Sequence, residues 1–321
     1  MVERQTEIVG VILAAGKGTR MEPFSMHYPK PILPVCNKPL LYYQIELMKA
    51  LGIERIIIVI GHLGHEITRS FGNGDCLGPK IEYIEQRETL GIAHALGKLE
   101  PHISSPMLLS LGDIFLVTEN IESMKEKMTD DDAGAVLAIK HEEDPDAIKR
   151  NFTVTLDDNG IVKRVIEKPR HVNTPIKGCG LYLFTQHVFD AIRRTPRTAM
   201  RDEYEITDTI QIIIDDGYPV MTADVVKWDM NVTYPADVLK CNLVELKRRG
   251  KDTIIGKAAK IHPKAVIHGS VIGDNVVVEH PIKITNAVIF PDTVVTAEHD
   301  IDRFIVTPEE HIDCRQIVQR D

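Results

Sequence analysis

Apolar residues gather in three short unbroken runs in the first third of the chain, at 8–13, 56–60 and 107–111. Continuous apolar character, without alternation, predicts strands covered on both faces, as in a parallel sheet. Between the first two runs, residues 38–51 carry apolar side chains at helical spacing, and Gly52 is placed to stop that helix. Strand, helix and strand joined by right-handed crossovers build an α/β fold with a doubly wound, mostly parallel, Rossmann-like sheet. Further along, 133–140 and 152–156 read as strands, Asp157-Asp158-Asn159-Gly160 as a hairpin-type turn and 161–166 as the returning strand. The sheet is therefore expected to be mixed, with an antiparallel insertion. A last helix is predicted over 235–249, closing on Lys-Arg-Arg-Gly.

After Ala259 the period changes. Aliphatic residues at 261, 267, 272, 278, 284, 289 and 295 are each preceded, two positions earlier, by a small or β-branched residue. Their spacings run 6, 5, 6, 6, 5 and 6. Seven such units read as a hexapeptide-repeat β-helix of roughly two coils, in which each turn buries aliphatics that it could not bury alone. The competing reading is a few ordinary strands between Gly and Pro turns. The expected organisation is a catalytic-type α/β domain over 1–250 and a β-helix over 251–321.

Composition narrows the function classes. At 321 residues and 43% hydrophobic, the chain can bury one large α/β core plus a smaller unit. Thirty-eight basic against 47 acidic residues, a formal charge of −9, argue against a general nucleic-acid or anionic-membrane binder. Cys36, Cys76, Cys179, Cys241 and Cys314 are odd in number and scattered, with no CxxC pair, which reads as reduced thiols. The opening MVERQTEIVGVILAAG lacks the features of a signal peptide, and no stretch approaches the roughly 20 apolar residues of a membrane span. A cytoplasmic protein is expected.

Ligands of doubly wound sheets sit at the carboxyl ends of the strands, so the residues following the three runs carry the candidate chemistry. The first strand leads into Ala14-Ala15-Gly16-Lys17-Gly18-Thr19-Arg20. Gly16 and Gly18 let backbone N–H groups approach a phosphate, and Arg20 supplies a forked, permanently charged donor. Lys30 adds a second cation. The string is neither the dinucleotide-binding fingerprint nor a Walker A loop. Asp113 follows the third run; by itself an Asp there is more often a helix cap than a metal ligand. None of the 13 histidines forms a metal-binding cluster.

Leu13-Ala-Ala-Gly16-Lys17-Gly18-Thr19-Arg20-Met21, followed by Pro29-Lys30-Pro31, resembles the signature of the nucleotidyltransferases that activate sugar 1-phosphates. The similarity continues in order over roughly residues 7–245. The family includes glucose-1-phosphate thymidylyltransferases, UDP-sugar pyrophosphorylases and mannose-1-phosphate guanylyltransferases, and several members carry a left-handed β-helix like the C-terminal repeat. The resemblance implies a Mg²⁺-dependent enzyme that joins an NTP to a sugar 1-phosphate and releases pyrophosphate. It assigns nucleotide binding to Leu13, Ala14, Ala15, Gly16, Gly18, Thr19, Gln86 and Gly91, with Gln86 on the base edge. It assigns the sugar phosphate to Glu167, Lys168 and Gly180, catalysis to Arg20, Lys30 and Lys168, and the metal to Asp113 and Asn231. Asp229, two residues off register, competes with Asn231. Asn151-Phe152 stands where relatives have Tyr-Gly, so the sugar pocket is expected to be narrowed or reshaped, and Ile114 replaces a residue that is often polar. The run Gly91-Ile92-Ala93-His94 is most similar to thymidylyl and uridylyl enzymes, so dTTP or UTP leads, with GTP next and glucose 1-phosphate as the sugar. A homo-oligomer is expected, with the tail serving packing or assembly; a non-catalytic regulatory relative and an acyltransferase tail are the other readings.

Overall fold

The computed structural model describes residues 7–130, 133–199 and 201–315; residues 1–6, on which the leader reading partly rests, lie outside them. The chain divides into two compact units, Met1–Gly16 with Gln44–Asp229, and Lys17–Tyr43 with Met230–Asp321.

The first unit is built on a nine-stranded sheet. Its strands are β1 (Val9–Ala14), β2 (Arg55–Ile60), β3 (Lys80–Glu85), β4 (Met107–Leu111), β5 (Ala135–His141), β6 (Phe152–Leu156), β7 (Val162–Glu167), β8 (Ile176–Phe184) and β9 (Val220–Asp224). The spatial order is β7-β6-β8-β4-β1-β2-β3, with β5 pairing β8 and β9. Strands β3, β2, β1 and β4 run parallel, whereas β8 is antiparallel to β4, β5 and β6. The expected mixed α/β sheet is therefore present. The unbroken apolar runs are its central strands: Val11, Ile12, Ile57, Ile58 and Leu109 are fully buried, as strands covered by helices on both faces must be. Gly10 admits one of those helices (Leu40–Ala50), because a Cβ there would stand 2.6 Å from Met48 Sδ. The β6–β7 turn is the one read from sequence; Asp157 Oδ1 accepts the N–H groups of Asn159 and Ile161, and Gly160 takes φ 80°.

In the second unit, Pro34–Val35 and Lys38–Pro39 form a hairpin whose two turn residues, Cys36 and Asn37, both have positive φ. The Asn242 side chain, on the helix Pro235–Arg248, accepts from Cys36 N at 2.7 Å and donates to Pro34 O at 2.8 Å. After that helix come three columns of parallel strands. One links Ile254, Val271, Val288 and Ile305; a second links Ile261, Val278 and Val295; a third links Ile267, Ile284 and Ile301. Every step is 17 residues, and hydrogen bonds such as Asn275 Nδ2 to Asp292 Oδ1 join side chains at the same separation. The spacings of six, five and six add to that coil, so the two apparent slips in the repeat are its regular period. The short β-helix also extends beyond the units read from sequence, to Ile254 at one end and Val306 at the other. Left-handed backbone recurs at corners one coil apart, at Ala258, Asn275 and Asp292 and again at Gly269, Asn286 and Arg303.

Candidate active site

In the first unit the chain runs outward through β1, β2 and β3, then returns to lay β4 on the opposite side of β1. Strand order reverses between β1 and β4, and a crevice opens beyond the carboxyl ends of two such strands. The residues leaving them are Leu13-Ala14-Ala15-Gly16 and Gly112-Asp113. Gly112 N donates to Leu13 O at 2.8 Å. A Cβ on Gly112 would lie 2.6 Å from Leu13 O, and one on Gly61 would lie 2.6 Å from Ala15 O. The strand ends converge because those side chains are missing. Ala14 and Ala15 are buried and Gly16 is exposed, so the chain surfaces at the first glycine of the signature.

Asp113 is half-buried in the turn between β4 and a strand at Ile114–Thr118. Gln44, 3% exposed, brackets that turn: its Nε2 donates to Leu111 O at 2.8 Å and Ile114 O at 2.9 Å. Helical spacing makes Gln44 look like one more position of the Leu40–Ala50 helix, and nothing local marks it as a clamp.

Glu167 and Lys168 follow β7. Lys168 has φ 43°, its N–H donates to Asn151 O at 2.7 Å, and its exposed ammonium lies 3.9 Å from Glu167. Arg201 Nη1 reaches Glu167 at 3.1 Å and Glu205 at 2.8 Å. Burial pushes the Glu167 carboxyl above its ordinary value and Glu205 adds to this, against the Arg201 hydrogen bond. Gly180 takes φ 63°, and a Cβ there would lie 2.3 Å from Ile114 Cδ1. The space at that glycine is thus claimed by Ile114. The Phe152 ring, expected to narrow or reshape a pocket, lies in the core: it is 4% exposed, stacks on Tyr182 at 5.8 Å and covers Gly178, where a Cβ would meet its Cζ at 1.9 Å.

Gln86 follows β3, buried, with Nε2 donating to Glu88 O at 2.7 Å. Gly91 has φ 105°, and a Cβ there would lie 2.5 Å from Tyr204 O. Tyr204 N donates to Leu90 O at 2.8 Å and its carbonyl accepts from Ala93 N at 3.1 Å. The loop after β3 and the Glu167 carboxylate therefore share one neighbour, the segment from Arg201 to Glu205.

In the second unit, Gly18 has φ 65° and starts the short helix Thr19–Met21. A Cβ on Gly18 would sit 3.2 Å from Lys30 Cε, so the Lys30 side chain lies over the glycine. Thr19 and Arg20 are exposed, and Arg20 makes no ion pair among the described residues. Asp237 accepts from Thr233 N and Tyr234 N at 2.8 and 2.7 Å. Burial raises its carboxyl pKa, opposed by those two bonds and by the Lys240 and Lys30 charges. Asn231 ends the strand Val226–Asn231, half-buried.

Asp229, the competing metal candidate, lies in the first unit. Both its oxygens accept from Lys177 Nζ, at 2.8 and 2.7 Å, with Lys140 Nζ at 3.5 Å, and its side chain is 1% exposed. It is committed to lysines. No group of three His, Cys, Asp or Glu suited to a metal occurs among the described residues. One carboxylate and one carboxamide oxygen nevertheless suit Mg²⁺, which takes hard oxygen donors and draws its other ligands from water and phosphate.

A family model described as Nucleotidyl transferase matches residues 9–230. The chain is 34% identical over 265 residues to the low-salt glycan biosynthesis nucleotidyltransferase Agl11 of Haloferax volcanii, covering 82% of this chain and 71% of that protein. It is 32% identical over 227 residues to the UTP–glucose-1-phosphate uridylyltransferase AglF of the same organism, covering 71% and 92%. It is 30% identical over 279 residues to a glucose-1-phosphate thymidylyltransferase of Streptomyces antibioticus, covering 82% and 77%. No helix among the described residues is long and apolar enough to cross a membrane.

Proposed function

Since the chain belongs to the nucleotidyl transferase family, we propose that this enzyme joins the α-phosphate of dTTP or UTP to glucose 1-phosphate. The reaction type is that of a sugar-1-phosphate nucleotidylyltransferase. One observation carries the assignment of residues: the signature loop and Asp113 emerge side by side from β1 and β4, where the strand order reverses. The relatives' names, one a uridylyl and one a thymidylyl enzyme of glucose 1-phosphate, support the choice of substrates.

In this reading the backbone of Leu13, Ala14, Ala15 and Gly16, with Gly18 and Thr19, holds the triphosphate. Gln86 receives the base and Glu167 the sugar, whereas the room left at Gly91 and Gly180 is filled by Tyr204 and Ile114. Lys168 holds the sugar phosphate so that one of its oxygens faces the α-phosphorus. That oxygen forms the new P–O bond while the bond to the β-phosphate breaks, and the electron pair leaves with pyrophosphate. Two anions must meet in line, so positioning and charge neutralisation are the protein's tasks. Arg20 binds the departing pyrophosphate, and Lys30 adds positive potential near the α-phosphate. Asp113 and Asn231 would hold Mg²⁺, which when bound offsets negative charge on the phosphates. Buried free thiols at Cys36, Cys179, Cys241 and Cys314 suit the reducing cytoplasm.

Pyrophosphate release measured over a matrix of NTPs and sugar 1-phosphates tests this directly. Activity is expected with dTTP or UTP and glucose 1-phosphate and is expected to stop in EDTA. Arg20→Ala is expected to lower kcat by about 10²-fold with the fold intact, the loss typical of one transition-state charge contact. Undiminished release in EDTA rejects the metal, and a matrix without any release rejects the reading.

A further inference from the structure

The β-helix carries one side chain that its own repeat does not ask for. Coil positions 256 and 273 are both glycine, one coil apart, and a Cβ at either would come within 2.4 Å of the next coil's backbone. The next residue in that column is Phe290, which is 2% exposed. Its ring stacks on Phe24 at 5.5 Å and 21° and meets Tyr28 edge-on at 5.6 Å and 74°. Phe24 and Tyr28 lie between Arg20 and Lys30 in sequence, and all of these residues belong to the second unit. Two other ties join the same segment to the coils. Asn37 Nδ2 donates to Ile272 O at 2.7 Å, and Tyr28 lies close enough to Glu309 that this carboxylate adds to burial in raising the Tyr28 pKa.

The stretch that holds Arg20 and Lys30 has little backbone structure of its own: three helical turns of three residues each, at Thr19–Met21, Phe24–Met26 and Lys30–Ile32. Pieces so short cannot fix a charged side chain by their own hydrogen bonds, so the stretch must be located by what its apolar side chains pack against. We infer that the β-helix is a working part of the phosphate site, with Phe290 as the positioning residue that fixes the segment bearing Arg20 and Lys30. The inference rests on the reading of Arg20 as a phosphate-binding cation. It gives the tail a role inside its own chain that requires neither assembly nor acyl transfer.

The test uses the full chain, with pyrophosphate release from dTTP or UTP and glucose 1-phosphate as the readout. Phe290→Ala is expected to lower kcat about tenfold while KM for glucose 1-phosphate moves less than about twofold, because a misplaced charge weakens the transition state more than ground-state binding. Phe290→Leu, which refills most of the volume, is expected to recover most of the loss. In an Arg20→Ala background, Phe290→Ala is expected to cost clearly less, about threefold, since one of the two cations it positions is gone. An equal tenfold loss in both backgrounds would mark a general packing role and overturn the inference. Wild-type activity for Phe290→Ala would overturn it too. Should Phe290→Ala fail to fold, Phe24→Ala, which removes the ring stacked on Phe290, takes its place with the same fall in kcat expected; wild-type kcat in Phe24→Ala overturns the inference. Full activity in Arg20→Ala alone would instead remove the reading on which the inference stands.

Discussion

Removing Lys177 is expected to unlock a buried charge. The Asp229 carboxylate accepts from Lys177 Nζ through both oxygens, at 2.8 and 2.7 Å, and the two side chains are 6% and 1% exposed. The nearest other cation, Lys140, lies at 3.5 Å and is itself engaged with Glu142 at 2.9 Å. Breaking a buried pair by deleting one partner costs about 3–5 kcal/mol, because a charge is left without its counterion. Lys140 offsets part of this, which puts Lys177→Met at about 3 kcal/mol. Each kcal/mol lowers Tm by about 2–4 °C in a protein of this size class, so a fall of about 6–12 °C is expected by calorimetry. Replacing the pair together, as Lys177→Met with Asp229→Leu, is expected to return most of that loss, since an apolar pair of similar volume pays no desolvation cost. Asp229→Asn is expected to lower Tm in the same direction while leaving the Mg²⁺ dependence of turnover unaltered. A wild-type Tm combined with a tenfold higher Mg²⁺ requirement would refute the reasoning and make Asp229 the metal ligand.

Gln44→Leu removes both hydrogen bonds that bracket the Asp113 turn, and turnover is expected to fall about tenfold with a weaker apparent Mg²⁺ affinity; an unchanged Mg²⁺ titration counts against the clamp. Gly178→Ala places a Cβ 1.9 Å from Phe152 Cζ and is expected to cost about 1–3 kcal/mol in urea unfolding, partly relieved by Phe152→Leu. No relief in the double variant would show that the ring is not what the new methyl strikes. Burial holds the Glu167 pKa in the folded protein above the ordinary carboxylate range, so the folded protein binds this proton more readily than the unfolded chain. Its contribution to stability is present below the unfolded pKa and lost as pH rises through the raised value. Glu167→Gln is therefore expected to flatten the Tm profile over that window and the acid limb of kcat/KM, and an unchanged acid limb would assign that limb to another group.

The sheet was legible because its central strands are covered on both faces and so leave unbroken apolar runs. The β-helix was legible from its aliphatic spacing, although the sum of six, five and six becomes a coil only when the columns are seen to align. Gly91 and Gly180 stood out as glycines, but sequence could not show that the Tyr204 backbone and the Ile114 side chain take the room they leave. Asp229 and Asn231 are two apart on one strand, where alternation puts both on the same face, and only Lys177 separates them. Gln44, Arg201 and Phe290 act through partners 67, 34 and 266 residues away, and no local pattern announces contacts of that span.

A coil of 17 residues sets the rule by which such a tail can change length. Inserting or deleting one whole coil returns every later residue to its own column, with corners and interior aliphatics unaltered. A single-residue insertion moves all later side chains out of their columns, sending aliphatics outward and corner residues into the stack. Growth or loss of the tail is thus tolerated in whole coils and resisted in smaller steps, with the coil that contains Phe290 as the one that has to stay in place.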